Sequence, residues 1–317
     1  KKVFLSVCTI LMAASLAGQN QNLVIGSSDV IGFPVSSPGQ SYLLEGDRGL
    51  FYSISGSYNS IPVHPLLNGM LDSTGSIYFI QYNKLGEALK SNHIKGTSYP
   101  VRAFSFEGGL QLLGGAYYDI DANGQALPIN DADYMEFIAS YDRDCQLYAL
   151  KNIWNLPRSV YPNSDAALDA RDGSIYIYGS TNQMILDVDG FGPIGENWNG
   201  SFLYVLKYNR NLDIMWAYTA GFETDTIAGY FPASDLRVIP GVNGNVLVCG
   251  TYYSNGTKPL FGSETLPYVD NGQGVFAVEL NSGGKQSWLQ SGENHNWEYY
   301  SRIEKGFSLS DGVYILS

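Results

Sequence analysis

The chain has 317 residues, with 18 Lys and Arg against 30 Asp and Glu and a formal net charge of −12. A surface this acidic repels nucleic acid and anionic membrane, which excludes functions that track phosphate. With 36 Gly, 24 Tyr and only 15% charged residues, the composition suits many short strands joined by tight turns rather than long amphipathic helices.

The first predicted element is a leader. Lys1 and Lys2 precede an apolar run from Val3 to Leu16, followed by the small residues Ala17 and Gly18. This is the pattern of a secretory signal peptide over residues 1–18. Its apolar core is shorter than the roughly 20 residues of a membrane span, and no transmembrane segment is expected elsewhere. Without Lys1 and Lys2, 16 basic residues face 30 acidic ones, a net charge of −14 for the exported chain. Residues 19–40 form either a linker or a ring-closing strand, since NLVIG and DVIGFPV both have strand character.

From Ser41 onward the chain repeats. An acidic or small residue, a glycine, five mostly apolar residues and another glycine appear as DGSIYIYG (Asp172 to Gly179) and NGNVLVCG (Asn243 to Gly250). Looser copies are RGLFYSISG (Arg48 to Gly56) and GGLQLLGG (Gly108 to Gly115), and DGVYILS, ending at Ser317, starts a fifth. A second apolar run follows each time: SIYFIQYN, MEFIASYD, FLYVLKYN and GVFAVELN, ending at Asn83, Asp142, Asn209 and Asn281. Seven residues beyond that terminal residue stand Lys90, Ala149, Trp216 and Trp288. Short runs rich in β-branched and aromatic residues and closed by turns predict strands. Four strands per unit, with units near 41–100, 101–163, 164–233, 234–300 and a partial 301–317, predict an all-β chain. The period is that of a β-propeller of four-stranded blades: four full units and part of a fifth, as an incomplete ring. Trp216 and Trp288 are expected to cover the gap between blades.

The unit from Gly179 to Gly221 resembles the secreted bacterial β-propeller repeats called SBBP repeats, through Asp187, Asp189, Lys207, Asn209 and Trp216. The fourth unit matches through Gly250, Asn281 and Trp288, whereas Lys90 and Ala149 replace the tryptophan in the first two. The resemblance implies an exported β-propeller, often cargo of type IX secretion, located outside the cell or at its surface, with the periplasm as the alternative. It also leads to the expectation that this chain is part of a longer protein.

Little catalytic chemistry is visible. His64, His93 and His295 lack metal-ligand spacing, and neither a G-x-S-x-G elbow nor a phosphate loop occurs. DIDANG places oxygen side chains at Asp119, Asp121 and Asn123 before a glycine, an arrangement suited either to a calcium ion or to a polar hairpin tip. Trp198 and Trp297 fall outside the repeated phrases, in polar stretches, and are the candidate ligand-binding residues. A glycoside hydrolase would need two converging carboxylates, for which Asp172, Glu223, Asp225, Asp235 and Glu304 are candidates. The first expectation is a non-enzymatic binding or scaffold module for a protein or glycan, with no catalytic residues assigned. The alternatives are the propeller hydrolase and a component docked onto an envelope or secretion machine.

Overall fold

The computed structural model describes residues 22–25, 29–32, 41–45, 50–57, 75–96, 98–107, 109–129, 132–156, 163–182, 185–196, 198, 201–222, 229–232, 235–254, 257–269, 273–294, 306–308 and 314–316. The leader, residues 1–18, lies outside them. Strands β1 (Asn22–Ile25) and β2 (Asp29–Gly32) form an antiparallel hairpin. The chain divides into two compact units, residues 1–152 and 153–317.

In the first unit, β3 (Ser41–Glu45), β4 (Phe51–Ser57), β5 (Ser76–Tyr82) and β6 (Ala88–Lys95) pair in chain order as an antiparallel meander. A second meander comprises β7 (Ser98–Phe106), β8 (Gly109–Ala116), β11 (Tyr134–Tyr141) and β12 (Leu147–Leu156), in which the unit boundary falls. Between β8 and β11 the chain makes a small hairpin, β9 (Ile120–Ala122) and β10 (Gln125–Leu127).

The second unit repeats the plan. The third meander is β13 (Asn163–Asp169), β14 (Ser174–Thr181), β17 (Phe202–Tyr208) and β18 (Ile214–Phe222), with the small hairpin β15 (Leu186–Val188) and β16 (Gly192–Ile194) between β14 and β17. The fourth joins β19 (Gly229–Tyr230), β20 (Arg237–Pro240), β21 (Val246–Ser254), β24 (Gln273–Leu280) and β25 (Gln286–Asn294), with the hairpin β22 (Pro259–Phe261) and β23 (Glu264–Thr265) between β21 and β24. Strands β26 (Gly306–Ser308) and β27 (Tyr314–Leu316) pair with one another. The protein is therefore all-β, built from antiparallel sheets.

The middle strands are apolar on both faces because both faces are covered. Every residue of β14 and of β17 is buried, whereas the outer strand β18 alternates over its first half. Tyr52, Ile54, Ile77 and Phe79 of the first meander pack against Leu110, Leu112, Phe137 and Tyr141 of the second. In the second unit Tyr176, Tyr178, Leu203 and Val205 share a core with Val246, Val248, Phe276 and Val278.

One turn closes the third strand of all four meanders. The side-chain Oδ1 of Asn83, Asp142, Asn209 and Asn281 accepts the backbone N–H groups two and four residues on, at 2.8–3.1 Å. The backbone closes the same loop, for example from Asn209 N to Asp213 O and from Leu212 N to Asn209 O. The residue three after the Asx is left-handed each time: Gly86 (φ 81°), Cys145 (58°), Leu212 (63°) and Gly284 (77°). A left-handed Cys or Leu costs about 1–2 kcal/mol relative to glycine, which the turn and burial of Cys145 and Leu212 offset.

A second device joins successive meanders. The small hairpin of one meander attaches to the outer strand of the one before it, eleven residues after the Asx turn residue. Ile94 pairs with Ala122, Ala220 pairs with Phe261, and Asp189 N donates to Ile153 O at 2.8 Å.

Asn209→Ala removes two bonds of the clamp and should lower unfolding stability by about 1–2 kcal/mol in urea. Asp142→Asn should stay near wild type, because Asn209 makes the same turn. Equal loss in both variants would show that the clamp is not the stabilising element.

Candidate ligand-binding site at one end of the second meander

The site is built by three neighbouring strands. Tyr99 of β7 lies opposite Gly115 of β8, and Gly115 lies opposite Glu136 of β11. Tyr134, two residues before Glu136 on β11, falls on the same face by strand alternation, and Tyr117 follows directly after the end of β8. The Tyr99 hydroxyl donates to that of Tyr134 at 3.0 Å, and Tyr134 donates to Glu136 Oε1 at 3.0 Å. The Tyr117 ring stands 6.1 Å from that of Tyr99 and 5.6 Å from that of Tyr134.

Gly115 makes this arrangement possible. A Cβ there would lie 2.6 Å from the Tyr134 hydroxyl and 2.7 Å from Cζ of Tyr99. The Glu136 carboxylate is buried, a position that is costly unless hydrogen bonds replace lost water. Burial holds the Tyr134 hydroxyl well above its ordinary 10.0, and the neighbouring Glu136 charge adds to the effect. Burial likewise raises Tyr99, partly opposed by its bond to Tyr134. The polar chain runs from a buried carboxylate to the half-buried Tyr99, with the half-buried Tyr117 ring alongside, and Tyr118, the next residue in the chain, is 63% exposed. Deeper on the same face Gln111 and Ser140 stand opposite each other, both buried and without hydrogen-bond partners among the described residues.

The sequence-derived candidates fall elsewhere or serve the fold. Asn123 and Gly124 are the two loop residues of the β9–β10 hairpin, with φ of 54° and 81°, a type I′ geometry favoured by Asn-Gly. Asp121 Oδ1 accepts Gly124 N at 2.7 Å, and Asp119 Oδ1 accepts Ile129 N at 2.8 Å. The oxygens of DIDANG thus fasten a hairpin. Among the described residues no group of three His, Cys, Asp or Glu side chains could hold a metal ion.

Trp198 is buried, with its Nε1 donating to Thr219 Oγ1 at 3.1 Å. Its ring lies where a Cβ on Gly221 would fall, 2.6 Å away, so it is a packing residue of the third meander and presents no ring to a ligand. Trp297 lies outside the described residues, as do His64, His295, Glu223, Asp225 and Glu304. Asp172 caps a turn through Ser174 N at 2.8 Å, and Asp235 accepts Thr251 Oγ1 at 2.8 Å. The His93 ring stacks on Tyr78 at 6.0 Å.

Of the tryptophans at position seven after the Asx, Trp216 reaches the next meander, whereas Trp288, expected to cover a gap between blades, is exposed at 36%. Trp216 Nε1 donates to Ser282 O at 3.0 Å, in the following Asx turn, and its ring fills the space that a Gly284 Cβ would occupy. Lys90, at the same position in the first meander, instead pairs with Asp144 of the second. Gln81 and Asn92 reinforce that junction by donating to Arg143 O and Cys145 O, both at 2.8 Å.

The tyrosine cluster is hidden in the sequence because its members come from three separate phrases. Glu136, a lone carboxylate within MEFIASYD, is the one signal that could have pointed to it. The phrase GTYYS in the fourth meander shows that the tyrosine pair alone is not diagnostic. There Tyr252 is buried and donates to Pro267 O at 3.0 Å, while Tyr253 stacks on Tyr230 at 4.8 Å.

No family model matches the sequence, and no curated protein matches it. Among solved structures, a protein of unknown function from Bacteroides caccae is similar, at 9% identity and a TM-score of 0.32 over 86% of this chain and 92% of that one. Among the described residues no helix is long and apolar enough to cross a membrane.

Replacing EDTA with excess Ca²⁺ should leave the melting temperature unchanged, because Asp119 and Asp121 each give Oδ1 to a backbone N–H and no third acidic, His or Cys side chain joins them among the described residues; a saturable upward shift would assign a cation to DIDANG. Burial pushes the Cys145 and Cys249 thiols from 9.0 to about 12 and Tyr52 from 10.0 to about 12. The unfolded chain therefore loses protons first, so stability holds below about pH 8.5 and falls as pH rises toward 12. A flat melting temperature across that window would contradict the burial of these groups.

Proposed function

We propose that the meanders are blades of a β-propeller of the SBBP-repeat kind, exported from the cell, and that the protein is a non-enzymatic binding module of the envelope or cell surface. The observation that carries this reading is the attachment of each small hairpin to the outer strand of the preceding meander. Within each unit such a handover makes one meander depend on its neighbour, as propeller blades do. The leader pattern of residues 1–18 supports export, and the spacing of the repeated phrases supports the blade assignment.

Binding is favoured over hydrolysis by what the carboxylates do. Asp172 and Asp235 hold turn and strand groups, and Glu136 is buried beneath Tyr134. A hydrolase needs a pair facing one glycosidic bond across about 5–10 Å. Affinity electrophoresis in polysaccharide gels, run beside a reducing-end assay, separates the readings. The expected outcome is retention without release of reducing ends. Release of reducing ends that Glu136→Gln abolishes would overturn the non-enzymatic assignment.

A further inference from the structure

We propose that β24 and β25 of the fourth meander are a docking face for a further meander of the same repeat, continuing from β26 and β27. Its Asx turn receives Trp288 and its small hairpin pairs with β25 at Gly292; this rests on the blade reading above.

The first support is a comparison with the third meander at matched distances from the Asx residue. Six, four and two residues before it, Leu203, Val205 and Lys207 of β17 are buried, whereas Val275, Ala277 and Glu279 of β24 are half-buried. Seven, nine and eleven residues after it, Trp216, Tyr218 and Ala220 of β18 are buried. Their counterparts on β25 are not: Trp288 is 36% exposed, Gln290 is exposed and Gly292 is half-buried. Val275 lies opposite Gly292, Ala277 opposite Gln290 and Glu279 opposite Trp288, so strand alternation puts all six on one face. The third meander buries the matching face in the core it shares with Val246, Val248, Phe276 and Val278 of the fourth.

The second support is the edge. At the eleventh residue after the Asx, β6 and β18 each take the small hairpin of the next meander, with Ile94 opposite Ala122 and Ala220 opposite Phe261. β25 ends its sheet, with no strand on its outer edge among the described residues. From Gln286 to Gly292 it carries neither a charge nor a proline, the devices by which native edge strands avoid pairing. An edge of this kind is built to accept another strand.

The third support identifies the occupant. β26 packs beside β20 as β20 packs beside β13, which sets the first strand of another meander where the repeat requires it. Two features of that meander follow. A backbone carbonyl next to its Asx residue accepts Trp288 Nε1, as Ser282 O accepts Trp216 Nε1. An apolar residue of its small hairpin lies opposite Gly292, as Phe261 lies opposite Ala220.

The test measures amide hydrogen exchange in the 317-residue chain and in a chain that carries a second copy of residues 250–294 after Ser317, the register in which DGVYILS matches NGNVLVC. In the 317-residue chain the outward amides of Ala220–Phe222 should be protected and those of Gln290–Asn294 should exchange fast. In the extended chain the β25 amides should slow about tenfold or more. Trp288→Ala should reverse that gain while leaving the melting temperature of the 317-residue chain nearly unchanged.

Outward β25 amides that are already protected in the monomeric 317-residue chain, or that do not slow in the extended one, would overturn the proposal. Protection that grows with concentration, alongside a dimer in sedimentation, would assign the face to a second copy instead. A gain that survives Trp288→Ala would overturn the docking of Trp288. Fast exchange at Ala220–Phe222 would overturn the handover and with it the blade reading, whereas protection there beside an unchanged β25 leaves that reading standing.

Discussion

The structure depends on the clamp that one Asx oxygen makes with two backbone N–H groups after the third strand of each meander. It sets where the strand stops, turns the chain through a left-handed residue and starts the fourth strand in a fixed register. The recurrence of one geometry at Asn83, Asp142, Asn209 and Asn281 despite different loop residues shows that the side-chain acceptor, rather than glycine, defines the turn. Glycine takes the left-handed position at Gly86 and Gly284, but Cys145 and Leu212 occupy it equally well once buried.

Because the turn is fixed, its outer carbonyls become dependable acceptors for the preceding meander. Trp216 uses Ser282 O, and Gln81 and Asn92 use Arg143 O and Cys145 O. Chemically different side chains therefore dock in the same way, from the outer half of one sheet onto the rigid turn of the next. The small hairpins add main-chain bonds at a second point of the same junction, which also protects outer strand edges from pairing with other chains. Burial on both faces of the middle strands follows from these two attachments, and so does the run of apolar residues that makes those strands conspicuous.

The tyrosine and carboxylate cluster occupies the opposite end of the strands from the Asx turn. At that end the chain length between β8 and β11 varies freely, so side chains there are less constrained by the repeat. In the second meander this freedom lets Tyr99 and Tyr134 form a hydrogen-bonded chain that ends on Glu136, with the Tyr117 ring beside them. In the fourth, the corresponding tyrosines bond to Pro267 O or stack in a pair. A shared phrase thus has two local outcomes, decided by what the intervening loop supplies.

The sequence by itself determined the strands, the turns and their order, because these depend on neighbours within a few residues. Apolar runs flanked by glycine marked β8, β14 and β21, the Asx residues marked the turns, and the interval of seven marked Trp216. Local chemistry also explains DIDANG, where Asn-Gly supplies a two-residue hairpin loop. Only the tertiary structure decided which polar residues meet. Trp198 lies in a polar stretch yet packs against Gly221 and bonds to Thr219, whereas Tyr99, Tyr117, Tyr134 and Glu136 converge from three strands. Strand pairing brings together residues distant in sequence, and no local pattern records which rings share a sheet face or which glycine leaves room for them.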